Sequence, residues 1–282
     1  MEQDHTARAQ YKLYYNSFSI CSLMVLLTIR WKGQPKSPAL AVEPAETEID
    51  IYAGQQNDEE YLEKNWKGQV PLLLGPQSVE ITDSLDITRF LGERYSQLLP
   101  GPHCETINAL LDELHEIWFV SLSFTADDGR SQGIVNMIQE RIAQPTSSEK
   151  HKAALQRKLQ FLIDSYPFNP HSPEIVAREE LKARIYLERI AHNIEAHNLG
   201  GKATWIFGDG VGPTALDAHT VVFVARLIDA SRSYLIPDDV LAYGRQHLEK
   251  GDWAEITQGN STLHTLWEKQ AERRALEPSG QD

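Results

Sequence analysis

The chain has 282 residues, and its 40 acidic residues outnumber its 27 lysines and arginines, which gives a formal net charge of −13. That balance argues against a nucleic-acid partner and against binding to anionic membranes. Two cysteines, Cys21 and Cys104, make no disulfide framework and fit a reducing compartment. The longest apolar run, residues 20–29, is shorter than the ~20 residues of a membrane span, and the N-terminus is polar. We therefore expect a cytoplasmic protein without a secretory signal.

The N-terminal part of the chain predicts alternating strands and helices. Short β-type or alternating runs indicate the strands, and apolar periodicity with polar or glycine ends indicates the helices. In chain order we predict a strand at 12–15, a helix at 21–31, a loop at 34–46, a strand at 48–52, a helix at 58–66, strands at 69–74 and 79–81, and a helix that residues 82–84 cap and that runs to about 95. This β-α-β-α-β-β-α order over residues 11–97 is that of a thioredoxin-like α/β domain.

Beyond a proline- and glycine-rich linker at residues 98–103, the sequence predicts helices alone. Helical periodicity covers residues 105–124, 148–163, 174–197, 216–230, 238–249 and 262–274. Breaks rich in proline and glycine separate these segments. We therefore expect an all-α C-terminal domain over residues 104–275, a disordered N-terminus at residues 1–10 and a frayed tail at residues 276–282.

The segment from Phe207 to His219 is the most informative part of the sequence. Its glycines allow a tight irregular turn, and Pro213 restricts the chain just before a helix. Thr214 can be the N-cap of that helix, and the side chain of Asp217, three residues on, can bond back to the Thr214 amide as in a capping box. The helix that follows is almost wholly apolar, which predicts a central core helix. This combination resembles the capping-box signature late in the helical domain of the glutathione transferase superfamily.

Two segments of the N-terminal domain carry the same resemblance. Gln69-Val70-Pro71 resembles the Val-Pro of thioredoxin-like domains, where the proline is cis and the exposed backbone pairs with the cysteinyl backbone of glutathione. Taken alone, it is a strand-entry proline, which any edge strand tolerates. Asp83-Ser84 resembles the acid-serine pair that holds the γ-glutamyl end of glutathione, since a helix N-terminus binds a carboxylate and the acid pairs with the ammonium. Taken alone, the pair is an ordinary N-cap.

The end of the first strand offers several candidates for activating the glutathione sulfur. A free thiol has a pKa of about 8.5, so a hydroxyl donor and a helix N-terminus must favour the thiolate. Alignment on the zeta-like pattern of serine-type transferases puts Ser19 at the first of paired serines, with Ser17 and Cys21 as alternatives. The second paired serine is Ile20 here, and Met24 stands where an arginine is usual. Cys21 also fits a buried helix position, because free cysteine packs as a small hydrophobe.

The resemblance implies a co-substrate pocket in which Tyr14, His115, Trp118 and Phe119 take part. Tyr14 is also a fourth candidate for the catalytic hydroxyl, because Tyr-type members of the family place a tyrosine nearer the strand. Trp118 and Phe119 fit plain core positions equally well, and His115 fits a satisfied interfacial histidine. The ten histidines show no Cys/His cluster with zinc spacing, so we expect no metal site. The glycines at 208, 210 and 212 do not follow a strand, which argues against a dinucleotide loop.

These patterns lead to three functional hypotheses. The first is a glutathione transferase-like enzyme that uses glutathione as co-substrate and adds its thiolate to a small electrophile in an inter-domain cleft. The resemblance is nearest to fungal-type, serine/zeta-like members that tailor or detoxify small molecules, with residues 34–46 and 125–147 as insertions, and it implies a homodimer. The second is a non-catalytic binding or scaffold protein with the same fold, because fold alone does not decide function. The third is a thioltransferase that depends on Cys21.

Overall fold

The structure is a computed structural model that describes residues 11–125, 130–165, 169–198 and 204–263. Its N-terminal part contains β1 (Lys12–Tyr15), α1 (Ile20–Trp31), β2 (Ala45–Glu48), α2 (Glu59–Lys64), β3 (Leu72–Gly75), β4 (Val79–Ile81) and α3 (Ser84–Arg94). The strands form one sheet in the order β2-β1-β3-β4. Strand β1 runs parallel to β2 and antiparallel to β3, and β3 runs antiparallel to β4. The predicted β-α-β-α-β-β-α order and the thioredoxin-like α/β fold are confirmed.

The second strand lies earlier in the chain than the sequence predicted. Residues 48–52 were expected to form it, but β2 ends at Glu48, which pairs with Tyr15 of β1. Asp50 then turns the chain, because its Oδ1 accepts hydrogen bonds from the amides of Tyr52 and Ala53, both at 2.9 Å. Every residue of β2 is exposed, so this edge strand carries no apolar alternation to reveal it.

Helix α1 joins the two halves of the molecule. Nearly all of its residues are buried, and it packs against α3 on one side and against α9 (Ala215–Asp229) of the C-terminal part on the other. The linker region is also fixed between the halves, since Leu98 is fully buried and its carbonyl accepts a hydrogen bond from Ala215 N at 3.0 Å. One hydrophobic core therefore runs through both parts.

The rest of the described chain is helical, as predicted. It contains α4 (Cys104–His115), α5 (Phe119–Ser123), α6 (Arg130–Ala143), α7 (Glu149–Ser165), α8 (Pro173–His197), α9, α10 (Asp238–Leu248) and α11 (Gly251–Thr257). The single helix expected at 105–124 is broken because the Trp118 amide donates to the Glu179 carboxylate at 2.9 Å instead of continuing a helix. Helices α6 and α11 were not predicted, and α6 falls in the segment expected to be an insertion.

Several sequence predictions concern residues outside the described part. The disordered N-terminus at residues 1–10 and the frayed tail at 276–282 lie there, as does the end of the C-terminal domain at 275. Of the helix expected at 262–274, the structure describes residues 262 and 263, which are not helical. In the described residues, no helix is long and apolar enough to cross a membrane.

The capping box at the start of α9 is present as predicted. The Thr214 hydroxyl accepts a hydrogen bond from the Asp217 amide, and the Asp217 carboxylate accepts one from the Thr214 amide at 2.8 Å. The carboxylate also accepts hydrogen bonds from the Thr214 hydroxyl, the Ile206 amide and the Tyr243 hydroxyl, at 2.6, 2.8 and 2.7 Å. Gly208 and Gly212 have φ of 84° and 75° in the preceding turn. Asp217 is fully buried, so it holds both the turn and α10 onto the start of the core helix.

Candidate functional site

The loop between β1 and α1 is organised by Asn16. Its side-chain oxygen accepts a hydrogen bond from the Phe18 amide at 3.0 Å, its carbonyl accepts one from the Ser19 amide at 3.0 Å, and its Nδ2 donates to the Ile49 carbonyl at 3.0 Å. Asn16 is only 3% exposed. Asn16 was not identified as a site residue from the sequence, although an asparagine just after a strand is a turn signal. The loop is thus a fixed turn that presents residues 17–19 in one arrangement.

Ser19 is the N-cap of α1. Its Oγ accepts a hydrogen bond from the Ser22 amide at 3.3 Å, and the residue is partly exposed. Within the described residues its hydroxyl proton has no acceptor, so it can be donated to a ligand atom. The free amides and the dipole of α1 add positive potential at the same place. This arrangement suits an anionic sulfur that lies against the end of the helix.

The Ser17 hydroxyl and amide are both hydrogen-bonded to a carboxylate. Its hydroxyl donates to Glu48 Oε1 at 2.7 Å, its amide donates to the same atom at 3.1 Å, and the residue is 4% exposed. Glu48, the last residue of β2, was not identified as a site residue from the sequence. Because the Ser17 proton already has a charged acceptor, Ser17 ties the loop to the sheet edge and is a poor donor to a second anion.

Cys21 lies in the first turn of α1 against the N-terminus of α3. Its thiol forms a hydrogen bond with the Ser84 side chain. Burial raises the pKa of the Cys21 thiol above its ordinary value, and the charge of Asp83 raises it further. These effects outweigh the Ser84 hydrogen bond and the charge of Arg226, which lower the pKa. At neutral pH Cys21 is therefore a thiol, the less nucleophilic form.

The Asp83-Ser84 pair begins α3. Asp83 is the N-cap, and its Oδ1 accepts hydrogen bonds from the amides of Leu85 and Asp86 at 2.8 and 3.2 Å. Ser84 is only 3% exposed and lies beneath Cys21. The pair therefore has the helix-terminal position that a carboxylate site requires, with the Ser84 side chain covered in this structure.

The Val70-Pro71 peptide is cis, as the resemblance implied. The preceding carbonyl, that of Gln69, accepts hydrogen bonds from the Tyr61 hydroxyl and from Asn65 Nδ2, both at 2.8 Å. Tyr61 and Asn65 are buried, so they fix the segment just before β3 from the α2 side.

His115 is half-buried and belongs to a hydrogen-bonded chain whose other members, His219 and Thr88, are fully buried. Its Nε2 lies 3.0 Å from Nδ1 of His219 in α9, and Nε2 of His219 lies 2.8 Å from the Thr88 hydroxyl in α3. Burial lowers the pKa of His115 to about 4, although Asp83 acts in the opposite direction. His115 is thus a neutral histidine at the contact between the two domains, hydrogen-bonded on one side.

The four predicted pocket residues do not all come together. Phe119 packs near His115 and Phe223, with ring centroids 6.0 and 5.7 Å away, and Trp118 directly precedes it. Tyr14 instead lies on the α2 face of the sheet, where its ring centroid is 5.9 Å from that of Tyr61. The structure therefore brings His115 and Phe119 together, with Trp118 next to Phe119 in the chain, and leaves Tyr14 in a separate cluster.

Arg226 of α9 is the other site residue that sequence reasoning missed. It is 4% exposed, and its Nη2 donates to the Phe18 carbonyl at 2.7 Å. A signal was available, since a buried arginine in an otherwise apolar helix requires polar partners nearby. In the described residues, no group of three or more His, Cys, Asp or Glu side chains is arranged to hold a metal ion.

The elements and the loop described above define a two-domain protein in which a thioredoxin-like domain packs on a helical domain, with polar groups gathered where α1 and α3 begin. A sequence profile of the family described as glutathione S-transferase, N-terminal domain, matches residues 13–103. Comparison with curated proteins finds no matching sequence.

Solved structures share the whole architecture at low sequence identity. Glutathione transferase F2 from Populus trichocarpa is 15% identical with a TM-score of 0.53, and the alignment covers 89% of this chain and 100% of that one. Beta-etherase LigF from Sphingobium sp. strain SYK-6 is 16% identical with a TM-score of 0.59, covering 89% and 99%. A glutathione transferase family member from Pseudomonas fluorescens pf-5, with two glutathione molecules bound, is 12% identical with a TM-score of 0.54, covering 90% and 95%. At these identities the likeness shows the fold, and the family profile matches the N-terminal part of the chain, residues 13–103.

Proposed function

We propose that this protein binds reduced glutathione in its N-terminal domain and stabilises the thiolate through Ser19 for addition to a small electrophile. The proposal rests on which serine hydroxyl in the loop after β1 already donates its proton to another group. Ser17 donates its proton to Glu48, whereas Ser19 caps α1 and keeps its proton for a ligand. A hydroxyl donor at a helix N-terminus lowers the pKa of a thiol that it faces.

The other predicted contacts of glutathione are part of this proposal. The N-terminus of α3 at Asp83 and Ser84 suits the γ-glutamyl carboxylate and ammonium. The backbone around Gln69, Val70 and Pro71 suits the cysteinyl backbone. The electrophile would then meet the sulfur near His115, Trp118 and Phe119, and the packing of Phe119 against His115 and Phe223 supports this part of the proposal. The solved relative with two bound glutathione molecules supports this choice of ligand.

The test compares two serine N-caps that have the same geometry. Ser172 caps α8 and accepts from the Ile175 amide at 3.3 Å, the same distance as that from Ser22 to Ser19. Both Ser19→Ala and Ser172→Ala remove a helix cap, at about 1 kcal/mol each. We expect Ser19→Ala alone to reduce glutathione conjugation to a chromogenic aryl halide, by ~10²-fold. Equal activity of the two variants would contradict the role of Ser19.

A non-catalytic binding or scaffold protein is the second candidate, and the burial of Ser84 favours it. Ser84 is 3% exposed and its side chain is hydrogen-bonded to the Cys21 thiol, so little of the hydroxyl is accessible to a γ-glutamyl group in this conformation. Calorimetric titration of glutathione into the wild type and into Ser84→Ala separates the two candidates. Binding that the variant weakens supports the enzyme, and the absence of heat from a folded wild type supports the scaffold.

A thioltransferase that uses Cys21 is less well supported, because burial raises the pKa of its thiol. If this activity is nevertheless present, Cys21→Ser should abolish reduction of a small disulfide, and Ser19→Ala should not.

The remaining assignments are proposals on the same basis. We propose a glutathione-binding domain at residues 11–97, a linker at 98–103 and a helical domain from 104, in a homodimer located in the cytoplasm. The nature of the electrophile, the fungal-type subclass and a role in detoxification or secondary metabolism are further predictions, which activity measurements on panels of electrophiles would test.

A further inference from the structure

Arg226 connects the core helix of the C-terminal domain to the loop that carries Ser19. It lies near the end of α9, and its Nη2 donates to the Phe18 carbonyl at 2.7 Å. That carbonyl belongs to the peptide group between Phe18 and Ser19. The guanidinium therefore bonds to the backbone unit immediately before the proposed thiolate donor.

Groups from two other segments hold the guanidinium in one orientation. Nη1 donates to the Ser123 hydroxyl at the end of α5 at 3.0 Å, Nε donates to the Thr262 hydroxyl at 3.1 Å, and Nη2 also donates to the Thr262 carbonyl at 2.9 Å. Thr262 is itself fixed, because its amide and its hydroxyl donate to Asp229 at 2.7 and 2.6 Å. A planar guanidinium that donates in several directions is a rigid anchor for whatever it bonds.

The loop is held from its other side by Asn16. The Phe18 amide donates to Asn16 Oδ1, and the Phe18 carbonyl accepts from Arg226. The backbone of Phe18 is thus fixed at both its amide and its carbonyl, and Ser19 follows directly. Arg226 is therefore one of the groups that set the position of the Ser19 hydroxyl, together with the Asn16 turn and the capping bond from the Ser22 amide.

Arg226 also brings permanent positive charge into a buried region. A guanidinium stays protonated in proteins, so this charge is present at every working pH. Its influence reaches the first turn of α1, because it acts on the Cys21 thiol in the direction that favours the thiolate. An anionic sulfur at the same helix end would experience the same attraction.

We propose that Arg226 is a positioning residue for thiol activation: it fixes the Phe18–Ser19 peptide and places positive charge beside the start of α1. The inference rests on the proposed function, since it assigns to Arg226 a part in stabilising the thiolate of bound glutathione. It also makes activation depend on the C-terminal domain, because α9, α5 and Thr262 together hold the guanidinium.

The experiment measures the pKa of bound glutathione from the ultraviolet absorbance of its thiolate, together with the glutathione Kd by calorimetry. Arg226→Met removes the charge and the hydrogen bonds, and Arg226→Lys keeps the charge without the planar fork. Arg232→Met is the matched control, because Arg232 is also a C-terminal-domain arginine that donates to a backbone carbonyl, that of Leu122 at 2.9 Å. Leu122 directly precedes Ser123, so this variant loosens α5 while it leaves the bond from Arg226 to Phe18 in place.

We expect Arg226→Met to raise the pKa of the bound thiol by about one unit with little change in Kd. Conjugation at a pH below the wild-type thiol pKa would then fall up to ~10-fold through kcat and recover at alkaline pH, with KM for glutathione unchanged. Arg226→Lys should give a smaller rise and Arg232→Met none. If Arg226→Met does not fold, Arg226→Lys carries the test on its own.

Three results would overturn either the role of Arg226 or the proposed function on which it rests. If the wild type and the Arg226 variants lower the pKa of bound glutathione equally, the role of Arg226 is refuted and the proposed function stays intact. A wild type that binds no glutathione would refute the proposed function itself. A shift in Arg232→Met as large as that in Arg226→Met would also overturn the inference, because the effect would then be one of general stability.

Discussion

Asp217 offers the sharpest test of how the turn before α9 and helix α10 are held against the start of the core helix α9. Its carboxylate accepts four hydrogen bonds, from the amides of Ile206 and Thr214 and the hydroxyls of Thr214 and Tyr243. Asp217 is completely buried. Replacement by alanine leaves these donors in the core without an acceptor, and removes one half of the capping box.

The expected loss follows from those donors. Each buried donor left unsatisfied costs ~1–3 kcal/mol, and since neighbouring donors do not add independently, we take the lower end for each and expect about 4 kcal/mol in total. That is large beside a typical unfolding free energy of ~5–15 kcal/mol. Asp217→Asn, which keeps the size but replaces one acceptor oxygen with a donor, should lose less than Asp217→Ala.

Urea unfolding followed by tryptophan fluorescence measures the effect. Asp209→Ala is the control, because Asp209 is an exposed acid in the same turn. We expect the midpoint of Asp209→Ala to match that of the wild type, and that of Asp217→Ala to fall steeply. A loss below about 1 kcal/mol for Asp217→Ala would show that the capping network carries little of the stability, and would refute this reasoning.

Three further predictions concern stability. Burial lowers the pKa of His115 and of His247 to about 4. Between about pH 6.5 and 4 the unfolded chain therefore binds more protons than the folded one, and the urea midpoint should fall as the pH drops through that range. A midpoint independent of pH in that range would contradict the burial of these histidines. Burial lowers the pKa of Lys158 to about 7, so stability should rise between about pH 7 and 10, and Lys158→Met should remove that part of the slope. Gly208→Ala should cost ~1–3 kcal/mol, because φ is +84° and a Cβ would lie 2.9 Å from a carbonyl oxygen, whereas Gly210→Ala, with nothing within 4 Å, should be nearly neutral.

The sequence was most informative where local chemistry and position agree. The capping box at Thr214 and Asp217 needs only residues a few positions apart, and the structure contains it. The element order of the first domain followed from short-range patterns as well. Strand β2 was predicted at the wrong residues, because an exposed edge strand has no apolar face that would produce an alternating pattern. Residues 48–52 do alternate between polar and apolar, although they do not form the strand.

The candidate site depended more on distant contacts. Sequence position alone left Ser17 and Ser19 as alternatives, and they differ because Glu48 of a neighbouring strand takes the Ser17 proton. An arginine in an apolar helix indicates that polar partners lie nearby, but the sequence did not identify them, because Phe18 is 208 positions away in the chain. Two serines in the same loop therefore differ in role because of hydrogen-bond partners that come from another element of the fold.

The pKa of the glutathione thiol in complex with the wild-type protein tests the central claim most directly. The ultraviolet absorbance of the thiolate, followed as pH is raised with protein in excess, gives this value, and Ser19→Ala provides the comparison. We predict a pKa well below the ~8.5 of a free thiol for the wild type, and a value close to that of the free thiol for Ser19→Ala. Bound glutathione with an unshifted pKa in the wild type would contradict the claim that this site activates the thiol.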